Sequence, residues 1–449
     1  MILKYFKLSF TFLLGAVLLS SCLGSDNRET EALTDPQVYS FSLSSKLDSN
    51  RYLDEVKFSI DQLNGKIFNR DSLPYLFDVD SVTMTLTGKI AGSFSKVVIN
   101  LKDNDSTFTM STDSLPFKRL KSIETTALDE KSMLKYDISI NIHQQDPYIF
   151  TWNLMTENHL NWVFDEQRTV SHNGTFYTLY EKDGVVRAAE SATNDAEQWT
   201  PVVVSGLPSN VILSSLIAIA DGDAPAIYML SSDGVVWCSD NGQLWSKKEL
   251  DYPVRAIYGI MPMIEHDNQI LLMAEVEGEL KFASTTDFEQ MKLWNKPEEN
   301  VPLVGFDVIR IENESVYGAN YIVMYGGLDY TGQDLTQVWI LQEKGGEINA
   351  IGKRPDIDFD EAELFYYDNR VYLLAFVGED NLFYTSRNYG VDWLPAGDNQ
   401  VLPEEFRNRK STTVITDENN FIWIFGGKSD KDDHIVDVWR GRLNKLAGE

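Results

Sequence analysis

FIWIFGG, residues 421–427, runs five apolar residues into a pair of glycines, and YIVMYGG, residues 321–327, does the same one hundred positions earlier. A phosphate cradle would require a helix pattern or a GK[ST] sequence after the glycines. The residues that follow, LDYTGQDLTQVW from 328 and KSDKDDHIVDVW from 428, supply neither. The pairs are therefore read as turning points of buried strands, at positions where a side chain would crowd the neighbouring sheet.

Both stretches belong to a repeat. From Thr169 onward an apolar run, a short Asp/Asn/Gly-rich turn and a second apolar run recur: TVSHNGTFYTLY from 169, IAIADGDAPAIYML from 217, MPMIEHDNQILLMA from 261, DVIRIENESVYGANYIVMYGG from 307, AELFYYDNRVYLLAF from 362 and TTVITDENNFIWIFGG from 412. The starts lie 48, 44, 46, 55 and 50 residues apart. Val, Ile, Tyr and Phe around polar turns form hairpins, and six such units at this period predict a six-bladed β-propeller. Third strands align as VVRAAES from 185, VVWCSD from 235, LKFAST from 280, VWILQ from 338, LFYTSR from 382 and VWRGRL from 438. Fourth strands start near Trp199, Trp245, Trp294 and Trp393, EINAIGKR can serve the fourth unit, and the sixth unit ends without one. An unpaired edge invites pairing with other chains, so Asn161–Phe164, with Trp162, is expected to close the last blade from the N-terminal side.

Two resemblances accompany the repeat. Gly327 to Trp339 and Gly427 to Trp439 share the twelve-residue spacing of a kelch repeat, although the intervening aromatic is only loosely matched by Tyr330 and is missing from the sixth unit. CSDNGQLW (238–245), SRNYGVDW (386–393) and a decayed ATNDAEQW (192–199) resemble the Asp-box of sialidase-type propellers. The resemblance implies a turn between third and fourth strands, far from any catalytic mouth.

Residues 36–150 have a different texture. VTMTLTG, KVVINL and YDISINIH alternate as strands with one buried face, and DSLP occurs at 71–74 and 113–116 as two expected turns with proline outside the ladders. The whole chain is thus expected to be all-β, a small β-sandwich-like domain over 36–150 followed by a propeller over 151–449. GKIFNRDSLP together with ISINIHQQDPYIFTW resembles the N-terminal domain of uncharacterised Bacteroidales lipoproteins, a domain of unknown function fused to a propeller; the resemblance brings no activity.

At the N-terminus, MILKYFKLSFTFLLGAVLLSSC places two lysines before a short apolar run and a cysteine. This is the pattern of a signal peptide over 1–21, and Leu19–Cys22 resembles a lipobox, which implies cleavage before Cys22 and lipidation of its thiol. The polar, acidic 22–35 reads as a flexible tether, and LGSDNRETE resembles the tether that takes such lipoproteins to the outer face of the outer membrane. Removal of 1–21 takes two lysines and no acid from 39 bases and 68 acids, so the net charge moves from −29 to −31. Such a chain is a poor binder of nucleic acid or anionic lipid, and the expected contact with the membrane is the lipid anchor alone. With Cys22 modified, Cys238 has no intrachain partner. The five histidines never fall at metal-ligand spacing, and DIDFDE (356–361) lacks the glycine and glutamate of an EF-hand loop, so no metal or cofactor is expected.

Three functions remain open: a surface protein whose propeller holds a glycan or a protein, a glycoside-processing enzyme of the sialidase kind, and a structural part of an envelope assembly. A sialidase would need three arginines around a substrate carboxylate, and Arg168 precedes TVSHNG without the expected Ile-Pro. Loops between second and third strands share one propeller mouth with those between blades. The long turns of units four and six then offer Asp329, Tyr330, Asp334, Asp432, Asp433 and His434 as ligand-binding candidates. The inter-blade segments add Arg354, Arg407 and Arg409.

Overall fold

Asn173 and Gly174 sit at φ 48° and 73°, the left-handed pair that a two-residue hairpin loop demands. They join Glu166–His172 to Thr175–Lys182, with His172 opposite Thr175. The remaining polar turns act in the same way, and the computed structural model contains six four-stranded antiparallel sheets. It describes residues 34–90, 94–102, 107–109, 112–160, 163–263, 267–297, 300–312, 321–357, 359, 361–429, 431 and 434–446. The signal segment, Cys22, Asn161, Trp162, Asp432 and Asp433 lie outside these.

The six sheets are the blades of a propeller. Their first strands, Glu166–His172, Val211–Ile219, Val254–Met261, Val304–Ile311, Glu361–Tyr367 and Thr413–Thr416, pack in sequence around the axis, and the last lies beside the first. Thr169 N–H donates to Thr413 Oγ1 at 3.2 Å across that junction. Second strands are sandwiched between blades, so both faces are apolar; Ala226–Ser231 is buried along its whole length. Fourth strands shrink to two or three residues in four blades, each at a tryptophan.

The glycine pairs lie inside the second strands Tyr321–Leu328 and Ile422–Lys428, not beyond them. A Cβ on Gly327 would meet Val304 O at 2.8 Å, and one on Gly427 would meet Lys410 O at 2.7 Å, so the crowding there comes from the same blade. Gly426 alone faces the neighbouring blade, against the Gln167 side chain.

The sixth blade is completed by Phe150–Thr156, which pairs with His434–Leu443 from Phe150↔Leu443 to Thr156↔Val438. This corrects the expectation that Asn161–Phe164 supplies the strand. Trp152 takes the outer position. Its ring covers Gly441, stacks on Phe383 at 5.9 Å and donates Nε1–H to Val401 O at 2.9 Å. The connection behind the strand is buried as well: His159 N–H donates to Val436 O at 2.7 Å, and Leu160 and Phe164 pack with Tyr180, Ala189 and Trp199 of blade one.

The chain divides into two compact units between Pro147 and Tyr148. In the first, a three-stranded sheet (Ser40–Ser44, Ser81–Thr87, Leu115–Pro116) and a six-stranded sheet share one core that includes Leu43, Met84, Ile99, Ile123 and Tyr136. Pro116, expected outside the ladders, pairs with Ser81 in the two-residue edge strand, where a missing N–H costs no internal ladder bond.

Candidate functional site

First strands of a propeller show one edge to the axis, and in three blades that edge carries charge. Arg168 of blade one reaches blade four, donating from Nη2 to Phe306 O at 3.0 Å and to Asp307 Oδ1 at 3.1 Å. Asp307 Oδ2 accepts the Leu364 N–H of blade five at 2.9 Å, and the charge of Asp307 acts on the Glu363 carboxyl of the same strand. One aspartate thus ties three blades together at the axis.

Around this knot opens a cavity of about 550 Å³. Its wall takes Glu166 and Gln167 from blade one, Gly326–Leu328 and Asp334–Thr336 from blade four, Glu361 and Glu363 from blade five, and Ser411, Thr412 and Lys428 from blade six. Burial pushes the Glu363 carboxyl well above the ordinary glutamate range, and the charge of Asp307 adds to the shift. Burial likewise raises Glu361, which accepts the Ser411 N–H, and Glu166. These carboxyls hold protons into a pH range where an exposed glutamate has lost them.

The candidates named from the sequence fall into distinct places. Asp334 is in the cavity wall. Tyr330 is 65% exposed on the loop that carries it. Asp329 is buried and folds that loop, accepting from Thr331 Oγ1 at 2.6 Å, Thr331 N–H at 2.7 Å and Gln333 N–H at 3.0 Å. These bonds, the Thr331 hydroxyl first, hold its carboxyl below the usual range. Arg354 is exposed beyond the outer strand of blade four and does not line the cavity. Arg407 is exposed, 3.7 Å from Asp437.

Two candidates are structural. Arg409 is fully buried: its guanidinium pairs with Asp437, donates to Arg407 O at 2.7 Å and Gly426 O at 3.3 Å, and lies over Phe406 at 4.1 Å. A loop arginine between blades is here a pin inside blade six. His434 is turned inward too, with Nε2 2.5 Å from Phe164 O and its ring on Phe164 at 4.7 Å.

Sequence reasoning looked to loops and missed Glu166, Arg168, Asp307, Glu361 and Glu363 as a group. The available signal was acidic side chains within the apolar first strands Val304–Ile311 and Glu361–Tyr367.

The Asp-box-like stretches are turns. Ser386 Oγ accepts the Gly390 N–H at 2.9 Å, Asn388 Oδ1 accepts the Asp392 N–H at 3.0 Å, and Trp245 Nε1–H caps Gly242 O at 3.1 Å. A Cβ on Gly242 or Gly390 would strike Tyr177 or Val338 of the preceding blade, which accounts for the glycine.

Residues 146–448 match a family described as the DUF6242 beta propeller domain, and residues 23–140 match the N-terminal domain of the same domain of unknown function, DUF6242. The chain belongs to this family. No curated protein matches it. Among solved structures, one titled "Structure of YjhT" is 11% identical with a TM-score of 0.40, over 63% of this chain and 96% of that one. A thermostable family-43 glycoside hydrolase is 12% identical at TM-score 0.29, over 62% and 88% of the two chains. The N-terminal domain of Nup159 is 12% identical at TM-score 0.33, over 62% and 76%. Likenesses at these scores carry no argument about activity.

Proposed function

We propose that this member of the DUF6242 family is a lipid-anchored protein of the kind found in Bacteroidales, exposed outside the outer membrane, whose kelch-like propeller binds a glycan or protein without turning it over. The observation that carries the reading is the cavity of about 550 Å³ at the channel mouth, a volume within the range of small-ligand sites. Its polar walls are held by inter-blade hydrogen bonds, so the site exists before the ligand arrives. Tyr330, exposed on the rim loop, offers an aromatic face to a sugar ring.

One feature weighs against a sialidase. Arg168 is the one arginine in the wall among the described residues, and it is already bound to Asp307 and Phe306 O. A sialoside carboxylate would find no free clamp there.

A glycan array probed with the chain from Leu23 onward tests the binding role. Specific signal that is lost in Glu361→Gln is the expected result; turnover of a fluorogenic sialoside that disappears in Arg168→Ala would reverse the assignment to an enzyme. Protease treatment of intact cells tests the location, since a protein digested only after lysis does not face outward, and Cys22→Ala is expected to leave the membrane fraction.

A further inference from the structure

The N-terminal unit has an entry end and an exit end. Ser40–Ser44, Lys66–Asn69, Phe94–Leu101 and Met133–Ser139 run away from the end where Thr34 lies, and Ser81–Thr87 and Leu120–Ala127 run back toward it. The chain therefore enters at one end and, after Ser139, leaves at the other. Four connections meet at the entry end. Thr34–Gln37, Lys89 and Ser132–Leu134 line one open groove of about 520 Å³, Tyr39 N–H donates to Thr87 O at 2.8 Å, and the hairpin of residues 61–65 is fixed beside them by Gln62 Nε2–H donating to Val38 O at 2.6 Å.

Turns are ordinarily built from polar residues, yet these carry large apolar side chains outward. Leu63 is 96% exposed and Met133 68%, and Tyr39, Ile90 and Leu128 are exposed beside them. The turns that present them are held in shape. Asp61 Oδ1 accepts the N–H groups of Leu63 and Asn64, each at 3.0 Å, and Asp129 Oδ1 accepts those of Lys131 and Ser132 at 3.0 and 2.9 Å. Apolar side chains gathered at one exposed end mark a contact surface.

Two further observations say what covers it. Cys22, the expected anchor, is twelve positions before Thr34, so the entry end stays within about 43 Å of the lipid even when that stretch is fully extended. The charge of this end also differs from that of the chain. Lys66, Lys89, Lys131 and Lys135 stand here against Asp35, Asp61, Asp129 and Glu130, whereas the whole chain has 39 bases and 68 acids. Asp35 accepts the Gln37 N–H at 2.9 Å, so three of the four acids are bound into their own turns. The repulsion from a lipid surface that the net charge implies does not extend to this end.

From the apolar turn tips, the local charge and the place where the chain enters, we infer that the entry end of the N-terminal unit docks on the lipid bilayer surface that holds the anchor. The inference rests on the reading of Cys22 as lipidated, and it adds a second membrane contact to the acyl chains. Leu63, Ile90 and Met133 enter the boundary between headgroups and acyl chains, Tyr39 sits at headgroup level, and the lysines lay their stems along the apolar surface with their ammonium groups at the phosphates. A tether this short holds the surface at an effective concentration on the order of millimolar, so a weak intrinsic affinity is enough.

Amide hydrogen exchange on the lipidated protein, reconstituted in vesicles of phosphatidylcholine and phosphatidylethanolamine, tests this against the soluble chain from Leu23 onward. Exchange in the turns 61–65 and 127–133 is expected to slow about tenfold or more on the vesicles, while residues 45–56 at the opposite end keep their rates. The double substitution Leu63→Asp with Met133→Asp is expected to abolish the slowing, with unchanged melting temperature and with the protein still floating with the vesicles. Leu47→Asp, at the opposite end, is expected to preserve it.

Protein that floats with the vesicles but exchanges at the soluble rate would overturn the docking and leave the anchor standing. Slowing that survives the double substitution would come from anchoring alone and would also overturn it. Slowing on outer-membrane fragments but not on lipid vesicles would make the partner a protein and overturn the lipid assignment. Failure to float would overturn the anchor and the docking together.

Discussion

Acidification is expected to loosen the ring at His159, and the size of the effect follows from the surroundings of that imidazole. The residue lies in the connection between the strand that closes blade six and the first strand of blade one. Its ring packs against Trp199 at 5.1 Å and Phe425 at 6.3 Å, Nδ1 meets Val436 O at 2.7 Å, and Nε2 has no partner. Burial lowers its pKa from 6.5 to about 4, against the opposing pull of the Val436 carbonyl and Asp437 and with a small further push from Arg409. The folded protein therefore binds fewer protons than the unfolded chain between those two values, so stability is full above pH 6.5 and falls as the pH drops toward 4. With those two pKa values the loss is about 2 kcal/mol at pH 5 and about 3 kcal/mol at pH 4. Glu363, Glu361 and Glu166 act in the opposite sense, because their raised pKa values make stability decline as the pH climbs above the ordinary glutamate value. The His159 contribution is isolated by comparison with His159→Phe, which keeps a flat ring in the same pocket and also keeps the backbone N–H bond to Val436 O. Urea midpoints of the propeller transition at pH 7.5 and pH 5, read by tryptophan fluorescence, give the two stability changes. The native protein is expected to lose about 2 kcal/mol more than the variant on going to pH 5. Equal losses, within about 0.5 kcal/mol, would refute the burial of an uncharged His159 at the junction.

Three further expectations concern stability. Asp437→Ala strands the buried guanidinium of Arg409 and is expected to cost about 3–5 kcal/mol in a urea titration, whereas Arg407→Ala, at an exposed side chain, is expected to stay within about 0.5 kcal/mol. Phe150→Ala removes a buried ring in contact with Trp152, Tyr367, Tyr372 and Phe383 and is expected to cost about 3–5 kcal/mol; Val163→Ala, in the segment first expected to close the ring, is 55% exposed and is expected to cost little. Gly427→Ala forces a side chain to φ 126° and against Lys410 O, so its melting temperature is expected to fall well below that of Gly184→Ala, where nothing lies within 4 Å.

The propeller was legible because its information is local. A hairpin such as His172–Asn173–Gly174–Thr175 is specified by residues within a few positions of one another, and an apolar run flanked by such turns recurs whether or not the ring is known. Closure is different: Phe150–Thr156 pairs with a strand almost three hundred residues away, and its own pattern, FTWNLMT, was counted partly with the preceding domain. The leading tryptophans then drew attention to Trp162, although Trp152 had the same standing. Local reasoning also misassigned Arg409 and His434, since polar residues after a long turn look exposed, and only the packing of Phe406, Asp437 and Phe164 around them turns them inward.

The channel mouth is the least local feature of all. Arg168 and Asp307 are 139 positions apart and Asp307 and Leu364 are 57 apart. Arg168, Asp307 and Glu363 stand on the first strands of blades one, four and five, and there they meet in one small space. Apolar residues would fill that space and stabilise the ring at least as well, because a buried ion pair seldom exceeds a hydrophobic replacement in stability. Arg168, Asp307 and Glu363 are thus hard to account for as stabilisers alone, while Glu361 and Glu166 add further desolvated acid to the same wall. A polar wall at the one place where six blades converge makes physical sense when the cavity is for something that enters it, and this is why the axis, and not the exposed loops above it, is where substitutions that spare the fold are expected to change binding.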